Sequence, residues 1–354
     1  MRSRLVLITA LLLAVLAPTE ARAADPLAVF YGQSLKWTKC LQTLECATFK
    51  VPLDYRNPGA RSIMITAARN KATGVARGNL VMNPGGPGGS GVEYIRDASA
   101  VVSPAIHRQF NLVSFDPRGL TRSTPLTCFT DRETDAFLEV DQTPDSPTEE
   151  QALVASSRKL IDACKRADAE LMQHVSTAEV ARDMDILRGL LGDTRLRYVG
   201  KSWGTALGRA YAALFPARVG QFVLDGAVDS AIGIEQATLD QARGFETAAN
   251  RFIAWCIDQG ECVLGKTQTA ARARLISFIK SLDTTPLRTK RATRPLTEQQ
   301  AWTGIIGPLY VTLGGWDWLN IALIDAIKGK DGTELQNIND WFIERSSRGT
   351  YPDN

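Results

Sequence analysis

Histidine is almost absent from this chain. Only His107 and His174 occur in 354 residues, and neither has a cysteine or second histidine at zinc-site spacing. A metal centre is therefore not expected. Long apolar runs are equally scarce. The one notable run, residues 5–17, is shorter than the roughly 20 residues a membrane span needs, so no stable membrane insertion is expected. Neither sign of charge dominates: 41 Lys and Arg stand against 38 Asp and Glu, a formal net charge of +3. Without Arg2, Arg4, Arg22 and Glu20 that charge falls to about +1, which gives no electrostatic case for nucleic acid or an anionic surface. Internal repeats and low-complexity tracts are missing too.

The start of the chain has the layout of an export signal. Arg2 and Arg4 precede the apolar run, and Ala21-Arg22-Ala23 has the small-x-small form of a cleavage site. Residues 1–23 thus read as a signal peptide, with the mature chain beginning near Ala24 and destined for the cell envelope or the exterior. No cysteine stands at the cleavage point to carry a lipid anchor. All six cysteines lie in the exported part, where disulfides are expected. Their spacing suggests local pairs, Cys40 with Cys46, Cys128 with Cys164 and Cys256 with Cys262, among the 15 pairings that six cysteines allow. Closing the Cys128–Cys164 loop would contribute about 4 kcal/mol through loop entropy.

Strands are expected over 47–54 and 62–69, with the turn Asn57-Pro58-Gly59 between them, and over 79–82 and 110–115. Ser146-Pro147-Thr148-Glu149 and Ser176-Thr177-Ala178-Glu179 are helix-starting capping boxes. Behind the second, Val180, Met184, Leu187 and Leu191 share one helical face, and Gly192 ends the helix. A strand at 196–199, a helix at 205–214 and one more buried strand at 219–224 follow. Strands alternating with helices imply an α/β fold, a mostly parallel sheet with helices on both faces. From residue 230 the pattern becomes purely helical, over 236–257, 270–281, 297–306, 316–327 and 334–344. The organisation expected is a signal at 1–23, an α/β core at 24–229 and a helical cap at 230–354.

Gly200-Lys201-Ser202-Trp203-Gly204 is the G-x-S-x-G pattern of a nucleophile elbow. The turn is tight enough that the residues flanking the serine by two must be nearly free of side chains. Ser202 is the expected nucleophile. Backbone N–H groups should meet the charge that develops on the attacked carbonyl oxygen. One should come from Trp203. The other should come from the glycine run after the strand at 79–82, with Gly86 favoured and Gly85 second.

Six stretches carry a resemblance to a known family: Pro52 to Tyr55 (P-L-D-Y), Gly85 to Gly91 (G-G-P-G-G-S-G), Phe115 to Gly119 (F-D-P-R-G), Ala181 to Asp185 (A-R-D-M-D), the elbow itself, and Val223 to Asp229 (V-L-D-G-A-V-D). In this order they resemble the exported tripeptidyl-aminopeptidase and prolyl-aminopeptidase serine peptidases of the α/β-hydrolase fold. The likeness spans about 35–265. It implies a peptide substrate with a free N-terminus, cleaved without metal or cofactor. The resemblance also places a catalytic Asp and His on two strands after the cap. This chain has no histidine after Ser202, so those C-terminal strands read as missing, and the strand at 219–224 would become a sheet edge. Thr121 stands where the family's loop usually has glycine.

The residues present offer poor substitutes for that base. His174 sits beside a capping box, and His107 lies between a proline-started turn and a core strand. Lys201 occupies an elbow position whose side chain normally points away from the hydroxyl. Asp225 and Asp229 read as fixing the loop after the last strand, and Asp116 with Arg118 as a structural ion pair. Glu235 and Glu246, early in the cap, are candidates for binding the substrate's free amine. Three functions remain open: an aminopeptidase that is inactive in this form, an esterase or lipase of the same fold, and a non-catalytic binding protein.

Overall fold

The computed structural model describes residues 25–351 except 230 and 261. The signal read at residues 1–23 lies outside the described residues. Seven strands form one mixed sheet in the order β1-β2-β3-β5-β4-β6-β7. They are β1 (Thr38–Cys40), β2 (Leu44–Pro52), β3 (Ser62–Asn70), β4 (Asn79–Asn83), β5 (Asn111–Phe115), β6 (Leu196–Lys201) and β7 (Val219–Asp225). The first three pair antiparallel, as does β3 with β5. The four strands from β5 to β7 run parallel and carry the glycine loop and the elbow at their C-terminal ends.

Period-two alternation decides which side chains turn inward. Phe49 and Val51 of β2 face Ile65 and Ile63 of β3, and all four are buried. Val81 and Met82, adjacent on β4, point to opposite faces and join separate cores. Counting helices of two turns or more, α1 is Asp131–Leu138, α2 Pro147–Met172, α3 Thr177–Leu190 and α4 Trp203–Leu214. Val180, Met184 and Leu187 of α3, with Leu207 and Tyr211 of α4, cover the Val81 face. Short helical turns at Gly91–Tyr94 and Ala98–Val101 cover the other. The strand at 219–224 is not buried. It forms the edge β7, with Val223 57% and Leu224 40% exposed.

Both serines start helices as read, Ser146 capping α2 and Ser176 capping α3 by accepting the N–H of the glutamate three residues on, but only Ser146 has the full box, since the Glu179 carboxylate turns to His174 and the Ser176 hydroxyl. Inside α2, Asp168 leaves the helical conformation (φ −162°, ψ 90°) and kinks the helix. Another capping box, Thr130 with Glu133, starts α1, which the sequence reading passed over.

Beyond β7 the described residues are helical: α5 (Ile234–Asp258), α6 (Gln268–Thr284), α7 (Glu298–Leu309), α8 (Thr312–Ile324) and α9 (Thr333–Phe342). They enclose a hydrophobic core of their own, which includes Phe252, Ile279, Leu323 and Ile338. A π-helical turn at Asp325–Gly329 breaks what read as one helix over 316–327. Arg345 and Tyr351 tie this region to α1: the Arg345 guanidinium donates to Asp135 at 2.6 Å, and the Tyr351 hydroxyl donates to the same carboxylate at 2.7 Å. Disulfides join Cys40–Cys46, Cys128–Cys164 and Cys256–Cys262. No helix among the described residues is long and apolar enough to cross a membrane.

Candidate active site

Ser202 sits between the last residue of β6 and the first of α4, with φ 50° and ψ −123°. Such a conformation is costly for any residue with a side chain and persists only where its surroundings enforce it. Here they do. The Ser202 N–H donates to the Asp225 carbonyl at 2.9 Å, and the Ser202 carbonyl accepts from the N–H and hydroxyl of Thr205 at 2.9 and 2.7 Å. The same Thr205 hydroxyl accepts the Val228 N–H, tying the loop after β7 to the elbow. Gly200 and Gly204 have no room for a side chain. A Cβ on Gly200 would stand 2.4 Å from the Gly204 carbonyl oxygen, and one on Gly204 would stand 2.8 Å from two oxygens of Asn83. The Ser202 side chain is left exposed.

The glycine run after β4 packs directly on this turn. A Cβ on Gly85 would lie 2.4 Å from the Lys201 carbonyl, 2.9 Å from the Trp203 nitrogen and 3.1 Å from Ser202 Cβ. Gly85 and Gly86 both adopt positive φ, 94° and 112°. Asn83 Oδ1 accepts the Gly85 N–H at 3.0 Å. That bond commits the Gly85 donor and favours Gly86 over Gly85 as the second donor beside Trp203. Asn83 was missed in the sequence; its place just before the proline and glycines is the signal that marks it.

The loop after β5 is held by two buried carboxylates, and the pairing differs from the one expected. Asp116 does not pair with Arg118. It accepts from the Ser90 hydroxyl at 2.6 Å, the Val92 N–H and Arg122, and so fixes the far end of the glycine run. Arg118 reaches Asp183 of α3 through two bonds, 2.7 and 2.8 Å. Its other donors meet the carbonyls of Pro52, Leu53 and His174. Burial, the largest single influence, lowers the affinity of the Arg118 guanidinium for its proton, but the charge and hydrogen bonds of Asp183 together with Tyr55 and Glu179 raise it overall. The second aspartate of A-R-D-M-D, Asp185, collects Arg188 and the Tyr211 hydroxyl together with Tyr31 and Arg218. Burial pushes its carboxyl up, yet those hydrogen bonds hold it below the ordinary range.

Neither histidine is bonded to Ser202 among the described residues. His174 Nδ1 lies 2.7 Å from Glu179, and the buried His107 Nε2 has no hydrogen-bond partner there. The Lys201 ammonium sits over the Tyr94 ring, 5.8 Å from its centroid. Asp225 holds the elbow through its backbone carbonyl, and the Asp229 side chain accepts the Ala231 N–H. Glu246 is paired with Arg272 on α6, and Glu235 is exposed in the first turn of α5. No hydrogen bond or ion pair joins either glutamate to the elbow among the described residues. Asp54, His174 and Glu179 converge within 4.8 Å, but Arg56 and Arg118 already face the two carboxylates.

Residues 78–321 match the α/β-hydrolase fold family. The chain belongs to that family. It is 33% identical over 350 residues to the serine protease Hip1 of Mycobacterium tuberculosis, covering 94% of this chain and 66% of that protein. It is 36% identical over 317 residues to carboxylesterase B of the same organism, covering 89% and 61%. To the tripeptidyl aminopeptidase of Streptomyces lividans it is 30% identical over 305 residues, covering 82% and 54%. The chain thus spans just under two thirds of the length of the first of these relatives.

Proposed function

We propose that this α/β-hydrolase chain carries the nucleophile and oxyanion hole of an exported serine aminopeptidase. The observation that carries the reading is the enforced conformation of Ser202, which lifts its hydroxyl clear of the sheet with Gly85 packed against it. Ser202 Oγ attacks the peptide carbonyl carbon. The N–H groups of Trp203 and Gly86 receive the negative charge on its oxygen. The Ser202 hydroxyl proton passes to the departing nitrogen as the C–N bond breaks and the free amine leaves, and water then hydrolyses the acyl-enzyme, returning a proton to Ser202 Oγ. The helices after β7 act as a cap, where Glu235 and Glu246 are the acids offered to the substrate's free amine. A relative named tripeptidyl aminopeptidase supports the substrate class.

The proton on Ser202 needs a base, and neither histidine of this chain reaches it. We therefore expect only the residual rate that an oxyanion hole and binding sustain, about 10³–10⁴-fold over water. Cleavage of tripeptidyl- and prolyl-arylamides by the purified mature protein measures this. Turnover near one per second that Ser202→Ala abolishes would show that a base is present after all. The relative named carboxylesterase B favours a second reading, an esterase. Matched aryl esters and arylamides separate the two, since an esterase turns over the ester alone. Absence of Ser202-dependent acylation by either substrate leaves the non-catalytic binding protein.

A further inference from the structure

A cavity of about 370 Å³ opens beside the elbow, with Gly85, Gly88 and Trp203 in its wall. Gly85 touches the serine and Trp203 follows it, so anything held there lies next to the reacting carbonyl. The rest of the wall comes from three elements. Leu120 and Leu126 lie on the loop after β5, Val175 and Val180 at the start of α3, and Leu207 on α4. Three polar residues also line it, Arg118, Asn83 and Thr177, and the first two are committed elsewhere. Arg118 spends its donors on Asp183 and three carbonyls. Asn83 Oδ1 takes the Gly85 N–H. A charged group entering the cavity would therefore lose water and find one hydroxyl, that of Thr177, in return. An apolar group would gain from burial against the leucines, valines and indole. The volume is at the small end for ligand cavities, which run about 300–1,000 Å³, and suits one bulky side chain rather than a long peptide.

We propose that this cavity is a specificity subsite for a neutral branched or aromatic side chain next to the carbonyl that Ser202 attacks. The inference rests on the reading of Ser202 as nucleophile. The side chain belongs either to the residue whose carbonyl is attacked or to the residue that leaves, and the two are separable by experiment.

Binding is measured first on Ser202→Ala, so that turnover plays no part. Calorimetry compares Ala-Ala-X amides, where X is Ala, Leu, Phe or Lys, with Ala-Ala-Ala-X amides carrying the same set. Each added methylene in a fitting apolar pocket is worth about tenfold or more. Leu and Phe should bind at least tenfold tighter than Ala or Lys in one of the two series, and that series identifies the side of the bond. Leu207→Trp fills the cavity and should erase the preference. Val175→Trp, at a partly exposed position on the rim, should do the same without touching the core. Equal affinities across both series, or a preference that survives Val175→Trp in a protein with an unchanged melt, would overturn the subsite. Acylation of the unmodified protein separates this result from the reading it rests on. A graded affinity without any Ser202-dependent acylation keeps the subsite and sinks the nucleophile. Ser202-dependent acylation at one rate for Ala and Phe does the reverse.

Discussion

Thr121 holds a backbone conformation better suited to glycine. Its φ is +30°, in the left-handed half of the map, and a β-branched residue is poorly tolerated there. This is the position where the resembling family usually has glycine, so the structure supplies the physical reason for that pattern. Thr121→Gly should raise stability by about 1 kcal/mol, visible as a higher melting temperature. An unchanged or lower melt would mean that the threonine's own contacts outweigh the strain. Other single residues differed in how far the sequence disclosed them. Gly200 and Gly204 were legible because the tight turn dictates them by steric exclusion alone. Arg118 was legible as buried and structural but not in its partner, because Asp183 arrives from a helix 65 residues away. Glu246 was legible as an acid of the helical region but not in its partner, because Arg272 comes from α6. Contacts made across elements leave no periodic trace in the chain.

Among elements, α2 contains the clearest irregularity. At its kink, Asp168 Oδ1 accepts the Leu171 N–H, capping the helix afresh, and binds Arg61 of the chain before β3 at 3.0 Å. The Arg61 guanidinium, more than any other group, draws the Asp168 carboxyl from its ordinary 3.8 down to about 2. A depressed carboxyl stabilises the fold above its unfolded value and loses that contribution as pH falls through the folded one. The latch should therefore hold fully above about pH 4 and release toward pH 2. Both partners are partly open to solvent, so the effect is at most about 1 kcal/mol. Melting temperatures of the unmodified protein and Asp168→Asn, recorded from pH 7 to pH 2, should differ at neutral pH and converge in acid. Parallel curves would assign the contribution elsewhere. The kink itself was invisible in sequence, since the 3.6-residue period continues through it. The strands were easier to find, because turn residues and alternation mark both their ends and their faces.

For the whole molecule, three hydrophobic cores and the sheet edge at β7 matter most. The edge strand β7 exposes Val223 and Leu224 beside unpaired backbone groups, an arrangement prone to pairing with another chain. Residues 24–354 expressed alone should accordingly self-associate as their concentration rises. Val223→Lys should suppress this, read by size-exclusion chromatography with light scattering. A monodisperse monomer of residues 24–354 at high concentration would contradict the expectation. The sheet and the helical region are joined by more than the chain running from β7 to α5. The segment between β5 and α2 begins as the wall of the cavity at Leu120 and Leu126. It is then riveted to α2 at Cys128 and gripped through Asp135 by Arg345 and Tyr351. It works as a strap with one end in the pocket and the other in the hand of the helical region. Any tilt of those helices against the sheet must pull on this strap. A shift of those helices is therefore expected to reach the pocket wall through this one strap, by way of Asp135 and the Cys128–Cys164 bond.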